Sequence, residues 1–308
     1  MGRPGRHGPY SSRVRCNPQA PRAEWRPPPL TTQTVLQLDR FEAALPELAA
    51  QYASAVPFPH IVLDDVLTPD ALAAAYADFE AIDGAHWTNY LHLNERKFGN
   101  TDRATWGPTL QEISGELFSP GFVDFLSVLT GIPGLQPDPE LDGGGLHRSL
   151  AGGFLNVHAD FTAHHTRPRW RRRVNLLLYL NPTWDPAWGG ELQLWSKDMQ
   201  RAEASIEPYG NRILLFTTDV DSYHGHPEPL RFPEGIARQS LALYYFTEED
   251  DVVAHATNYR ARPGDGARRA LIYLDKKALQ GYDVAKRRLH LSDGLVSRTL
   301  ALLNRRRR

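Results

Sequence analysis

Sulfur is scarce in this sequence: one cysteine, Cys16, and two methionines among 308 residues. A single thiol forms no intrachain disulfide, and it excludes a cysteine-based zinc or iron–sulfur centre. Neither sign of charge is in excess. Thirty-five Lys and Arg stand against 36 Asp and Glu, a net charge of −1, which argues against a nucleic-acid or anionic-membrane partner. No apolar run approaches the ~18 residues of a membrane span, and the N-terminus has no apolar stretch of a secretory signal. The expectation is a soluble, cytoplasmic protein. The remaining composition, 41% apolar and 23% charged, is ordinary globular usage. Such a length buries the core of one large domain or two ordinary ones without staples.

Residues 1–30 form a separate zone with Arg3, Arg6, Arg13, Arg15, Arg22 and Arg26, seven prolines and one acid, Glu24. Such a segment buries too little apolar surface to offset its ordering entropy and reads as a disordered basic tail. Its acid-poor composition also fits a transit peptide, but prolines at this density break the amphipathic helix a transit peptide needs. Residues 34–53 read as helical, with Leu36, Phe41, Leu45 and Leu48 at turn spacing. Phe58–Asp65 is a short strand and turn. Thr68 and Pro69 open a helix running to about Glu80, and 109–130 reads as two helices broken at Ser119-Pro120-Gly121. From about 153 the period becomes that of strands, at 153–158, 173–180, 190–195, 211–216 and 239–247. Turns at Asn181-Pro182, Gly189-Gly190 and Tyr209-Gly210-Asn211 fall between most of them. Strands without helices between them indicate a sandwich or barrel. A helical tail over about 270–303 ends in the basic tip Arg305–Arg308. The division predicted is a tail (1–30), a domain (31–260; helical to about 150, strand core about 151–250) and a helical extension (261–308).

The chemistry-bearing residues start in Gly153–Phe161. Alternate residues of a strand share a face, so His158 and Asp160 project together and can hold one metal ion. His224 lies 64 residues after Asp160, in Asp221-Ser222-Tyr223-His224-Gly225-His226-Pro227. Two histidines and a carboxylate with open positions are the ligand set of non-haem Fe(II) oxygenases. His224 and His226 compete for the third place. Pro227 turns the chain just after His226, which favours His224. Arg238 follows 14 residues after His224, with Ser240 on the same strand face. A guanidinium beside a hydroxyl suits the distal carboxylate of a dicarboxylate.

HxD, a distal His and then RxS, along a strand-rich half, resembles the Fe(II)- and 2-oxoglutarate-dependent dioxygenases, and within them the prolyl-4-hydroxylase-like branch. Pro57–His60, Gly143–His147, Arg172–Asn181, Trp188–Leu192 and His224–Pro227 carry the likeness, which covers about 57–250. The resemblance implies a mainly β fold with flanking helices, a double-stranded β-helix or jelly roll with helices packed on its major sheet. It implies Fe(II) on His158, Asp160 and His224, and 2-oxoglutarate bound by Arg238, Ser240 and Tyr179. It further implies O2 as co-substrate, admits ascorbate as a reductant, and places Lys97 near the site. The implied reaction hydroxylates an unactivated C–H of a peptidyl-proline, amino-acid or other small-molecule substrate, releasing succinate and CO2.

Three rivals stand beside this. A cupin-like isomerase or cofactor-free dioxygenase on a similar jelly roll would need no RxS pair. A non-catalytic binding module would not need the full ligand set. A zinc hydrolase would be expected to show HExxH, which is absent. The Gly143–Ser149 stretch lacks a phosphate-loop spacing and reads as a mobile loop at the site mouth. Arg167, Arg169, Arg171, Arg172 and Arg173 read as a solvated face, with a cleft rim that attracts an anion as the alternative. His164 and His165 are expected to be exposed.

Overall fold

The computed structural model describes residues 34–274, together with Lys277 and Gly281. The predicted tail 1–30, most of the predicted helix 270–303 and the basic tip lie outside the described residues, although 268–274 are helical. The helices of the first half are α1 (Asp39–Glu42), α2 (Leu45–Ser54), α3 (Pro69–Glu80), α4 (Pro108–Leu117) and α5 (Pro120–Thr130). The strands are β1 (His60–Asp64), β2 (Thr88–His92), β3 (Glu95–Asn100), β4 (Gln136–Pro137), β5 (Gly145–Ser149), β6 (Phe154–Ala159), β7 (Trp170–Tyr179), β8 (Leu192–Trp195), β9 (Ala202–Ile206), β10 (Arg212–Thr217), β11 (His224–His226), β12 (Arg238–Glu248) and β13 (Asn258–Tyr259). No helix of the described residues is long and apolar enough to cross a membrane.

Local chemistry sets the helix starts. Thr68 and Ser119 each accept from the backbone N–H three residues on, at 3.3 Å, and Pro69 and Pro120 follow them in the first turn. The predicted helix over 34–53 is instead two. Pro46, with no N–H to donate, sits in the first turn of α2, and Leu36 pairs with Leu67 in a β-bridge.

The strands pair antiparallel in the order β1-β10-β7-β12-β5-β3-β6-β11-β8-β9. β3 is the corner: residues 98–100 pair with β5, and 95–96 pair with β6. The sheet folds there so that Tyr179, Leu214 and Phe216 of one half pack on Leu192, Leu194 and Ile206 of the other. This is the jelly-roll half-barrel the resemblance implies. The first part of the domain is less helical than predicted, because β2, β3 and β5 lie in it. Glu95–Asn100 carries no apolar alternation to announce a strand. Gly145–Ser149, read as a mobile loop, is hydrogen-bonded between β12 and β3.

Both faces of β7, β10 and β12 are covered, so they read as continuous apolar runs rather than alternating ones. Val174, Leu176, Leu178, Ile213, Leu215, Leu241, Leu243 and Tyr245 turn toward the helices and meet Ile113, Leu117, Phe122 and Leu126. The alternate residues turn inward, and that parity positions the site.

The turn between β9 and β10 is unusually intolerant. A Cβ on Gly210 would stand 1.9 Å from the Asn181 carbonyl oxygen, whereas one on Gly115, inside α4, would meet nothing within 4 Å. Gly210→Ala is expected to destabilise by about 2–3 kcal/mol, the upper part of the usual range for one substitution. Gly115→Ala is expected to stabilise by about 0.5–1 kcal/mol by restricting the unfolded chain. Thermal or urea unfolding of the two variants beside the parent checks both signs.

Candidate active site

Inside the half-barrel lies a cavity of about 200 Å³ whose wall includes His158, Asp160, Asn175, His224, Arg238, Ser240 and Tyr244. The two histidines face one another because β6 and β11 pair in register at His158 and His224. Their rings stand 4.6 Å apart, centroid to centroid. Each ring has its Nδ1 2.9 Å from the carbonyl oxygen two residues earlier, Asn156 for His158 and Ser222 for His224. With the Nδ1 hydrogen donated there, each Nε2 lone pair is left for a metal.

The Nε2 of His158 lies 3.3 Å from Asp160 Oδ1, and the Nε2 of His224 lies 3.5 Å from Asp160 Oδ2. Ligands about 2.1 Å from one ion and at right angles stand about 3 Å apart, so the His158–Asp160 separation suits neighbouring ligands of one octahedral ion. One ligand atom from each of His158, Asp160 and His224 can be chosen with all of them within 4.8 Å of one another. Burial lowers the His224 imidazole to about 4, which favours the neutral form a metal requires.

Asp160 is held from behind. Its Oδ2 accepts from Arg172 Nη2 at 3.0 Å and from Asn175 Nδ2 at 2.7 Å. Burial alone would raise this carboxyl. The Arg172 guanidinium, aided by the two histidines, outweighs burial and holds it well below the usual range. Arg172 also donates to Asn175 Oδ1 at 2.7 Å and lies 3.3 Å over the Tyr244 ring. It is 1% exposed, so the reading of a solvated arginine face is wrong here. A bulge is the cause. Tyr245 pairs with Val174 but Phe246 with Arg172, so the β7 alternation skips Arg173. The other four arginines do lie outward, but paired with carboxylates: Arg167 with Glu140, Arg169 with Glu248 and Asp250, and Arg171 and Arg173 with Glu249. They are not an unpaired cationic rim.

Arg238 and Ser240 both line the cavity. Arg238 is 6% exposed, and among the described residues no carboxylate comes within ion-pair distance. Its Nε donates to the Gly190 carbonyl at 2.8 Å and its Nη2 to the Tyr179 hydroxyl at 3.2 Å. A buried, unpaired guanidinium is costly unless an anion joins it. The Trp188–Glu191 turn therefore does more than connect strands. Gly190 has φ +83°, and a Cβ there would stand 3.3 Å from the Arg238 side chain. Tyr179 is fully buried and reaches the site through Arg238 rather than by lining the cavity.

His226 is the last residue of its strand, and the chain turns at Pro227 as expected. It belongs to β11 and lines the cavity, but a register shift separates it from His224, and it falls outside the metal-ligand set. Its buried Nδ1 has no hydrogen-bond partner among the described residues. Gly143 and Gly144 line the same cavity, as does Lys97. His164 and His165 are not exposed. His164 packs edge-on against Trp170 and Phe246 beside Asp138, and His165 is bound to Asp142 at 2.6 Å. Sequence reasoning missed Arg172, Asn175, Tyr244 and Glu95. Counting by twos from Arg238 reaches Tyr244, and the same count from Tyr179 reaches Asn175.

Comparison with known proteins agrees with this geometry. Residues 144–246 match the 2OG-Fe(II) oxygenase superfamily. No curated protein matches the chain in sequence. Among solved structures, a prolyl hydroxylase of Trichoplax adhaerens, in complex with a hypoxia inducible factor peptide fragment, gives a TM-score of 0.51 at 17% identity, over 70% of this chain and 94% of its own. A Pseudomonas putida prolyl-4-hydroxylase gives 0.46 at 20% identity, over 66% and 100%. A Phytophthora capsici prolyl 4-hydroxylase gives 0.49 at 18% identity, over 72% and 70%. The Trichoplax likeness bears on the fold alone. The matched segment contains His158, Asp160, Tyr179, His224, Arg238 and Ser240, so residues 144–246 carry the likeness to the 2OG-Fe(II) oxygenase superfamily together with every one of these side chains.

Proposed function

We propose that the protein hydroxylates an unactivated C–H bond of an amino-acid, peptidyl-proline or other small-molecule substrate, with release of succinate and CO2. The observation that carries this reading is the buried convergence of His158, Asp160 and His224 beside an unpaired Arg238. A metal alone explains the first part. A cofactor anion is what the second part asks for.

The Nε2 atoms of His158 and His224 and the Oδ1 of Asp160 would hold Fe(II). When bound, Fe(II) and 2-oxoglutarate supply the oxidising chemistry, coupling decarboxylation of the keto acid to oxidation of a C–H bond by O2. Arg238 would bind the distal carboxylate of 2-oxoglutarate, with Ser240 beside it and Tyr179 positioning the guanidinium. Leu177, Leu192 and Phe216 line the cavity and exclude water from the reacting atoms. Arg172 and Asn175 hold Asp160 deprotonated and take up its Oδ2, so Oδ1 would be the oxygen offered to the metal.

Mixing the protein with Fe(II) and 2-oxoglutarate without oxygen is expected to give the weak visible absorption of Fe(II) with a 2-keto acid, and admitting oxygen is expected to give slow succinate formation. Absence of that absorption in iron-loaded protein overturns the reading. His224→Ala is expected to abolish turnover and strongly weaken metal binding, whereas His226→Ala keeps the metal and loses about 10- to 100-fold in activity. Metal content and single-turnover succinate yield separate the two, and the reverse pattern would exchange their roles.

Arg238→Lys keeps the charge but loses the planar fork. Affinity for 2-oxoglutarate is expected to fall roughly 10- to 150-fold, one charge-assisted contact of about 1.5–3 kcal/mol, with metal affinity little changed. Parallel titrations of metal and 2-oxoglutarate read both, and unchanged 2-oxoglutarate affinity would remove Arg238 from that role.

A further inference from the structure

Lys97 reaches the cavity from β3, the corner strand, whose neighbours are β2, β5 and β6. Its side chain is 16% exposed and its ammonium lies 3.1 Å from Glu95 Oε2. Glu95 is itself buried, with His92 Nε2 at 2.8 Å from its Oε1. Burial would lower the Lys97 ammonium, but Glu95 more than offsets this and keeps it charged. An ammonium has three N–H donors. Glu95 accepts one, and the Tyr90 ring stands 5.6 Å away on another side.

The charges of the wall do not balance. Lys97, Arg172 and Arg238 stand against two carboxylates, Glu95 and Asp160. Fe(II) and the 2-oxoglutarate dianion add equal and opposite charge, so the loaded site keeps one positive charge in excess. With Arg172 committed to Asp160 and Arg238 to the cofactor, Lys97, which gives one of its three donors to Glu95, is the cation with donors left to meet a substrate. A buried excess charge is unfavourable until an opposite one joins it. A single negative charge closes the balance, and a phosphate dianion would overshoot it.

We propose that Lys97, braced by Glu95, anchors the carboxylate of a small monoanionic substrate such as an N-acyl amino acid. This rests on the oxygenase reading above and narrows it. An internal residue of a peptide chain offers Lys97 no carboxylate of its own backbone, so the wall favours a free acid over a peptidyl substrate.

The test titrates N-acetyl amino acids and the corresponding N-acetyl primary amides into protein loaded with Fe(II) and 2-oxoglutarate, without oxygen, following binding by calorimetry, with the zwitterionic free amino acids as a net-neutral comparison. A prolyl peptide with both ends blocked is titrated alongside. At least one acid is expected to bind, and its amide to bind roughly 10- to 150-fold more weakly, the loss of one charge-assisted contact. Lys97→Gln is expected to erase the acid–amide difference while 2-oxoglutarate binding persists. The double variant Glu95→Gln with Lys97→Gln removes both charges, leaves no unpaired carboxylate, and gives the same result should the single variant not fold. The proposal is overturned if no acid binds, if acid and amide bind equally, or if the blocked peptide binds better than every acid. It is overturned equally if the acid binds the Lys97 variants as well as the parent, or if those variants lose 2-oxoglutarate, which would give Lys97 to the cofactor. Failure of the parent to bind 2-oxoglutarate at all is a separate result, and it removes the oxygenase reading together with this one.

Discussion

A carboxylate that serves a metal inside a protein has to be buried, ionised and aimed, and Asp160 meets all three conditions through Arg172. Burying either ion alone would be unfavourable by several kcal/mol, and removing one partner of such a pair typically costs about 3–5 kcal/mol. The pair is tolerable because its remaining donors and acceptors are also placed. Asn175 donates to Asp160, accepts from Arg172 Nε, and accepts from the Thr218 hydroxyl at 3.0 Å. Tyr244 closes the open face of the guanidinium. One network thus ties the end of β6 to β7, to β12 and to the chain leaving β10. The histidines then need only the backbone: their register sets the rings opposite one another, and their carbonyl contacts orient the nitrogens. Arg238 is held on a different principle, by a neutral carbonyl and a phenol, which leaves its charge uncompensated within the described chain. The contrast between the two arginines separates the histidine–carboxylate end of the cavity from the end with an uncompensated guanidinium.

The strand core was legible because its signals are local. His158 and Asp160 are two apart, Arg238 and Ser240 are two apart, and period-2 parity carried both pairs onto one face. Helix starts at Thr68 and Ser119 were legible because a hydroxyl followed by proline has few other uses. Arg172 was not legible, and the physical reason is the bulge at Arg173. Alternation counted from Tyr179 reaches Asn175 and then Arg173, so the parity that finds one residue of the Asp160 clamp misses the other. β3 was missed for a different reason: Glu95–Asn100 is a strand by virtue of its neighbours, with no apolar face of its own. His164 looked exposed because histidine beside histidine after a strand resembles a loop, whereas aromatic packing on Trp170 and Phe246 buries it. In each case the missing information was a contact distant in sequence.

The same strands carry the core and the site, and this links stability to chemistry. Leu176 and Leu178 of β7 and Leu241 and Leu243 of β12 face the helices, while Asn175, Leu177, Ser240 and Tyr244 face the cavity. Sliding β7 and β12 together by one residue against the helices would exchange the two sets completely. At about 1.5–3 kcal/mol for each buried leucine, exposing these four to a polar cavity would cost roughly 6–12 kcal/mol. That is comparable to the whole stability of a typical domain, about 5–15 kcal/mol. A slipped register is therefore not a loosened site but an unfolded one. The helices of the first half touch no ligand atom of the metal set, yet they fix where Ser240 and Asn175 stand by the leucines they bury. The bulge at Arg173 is tolerated beyond this locked stretch, where the strand has left the leucine pairs behind and the parity can change without exposing them.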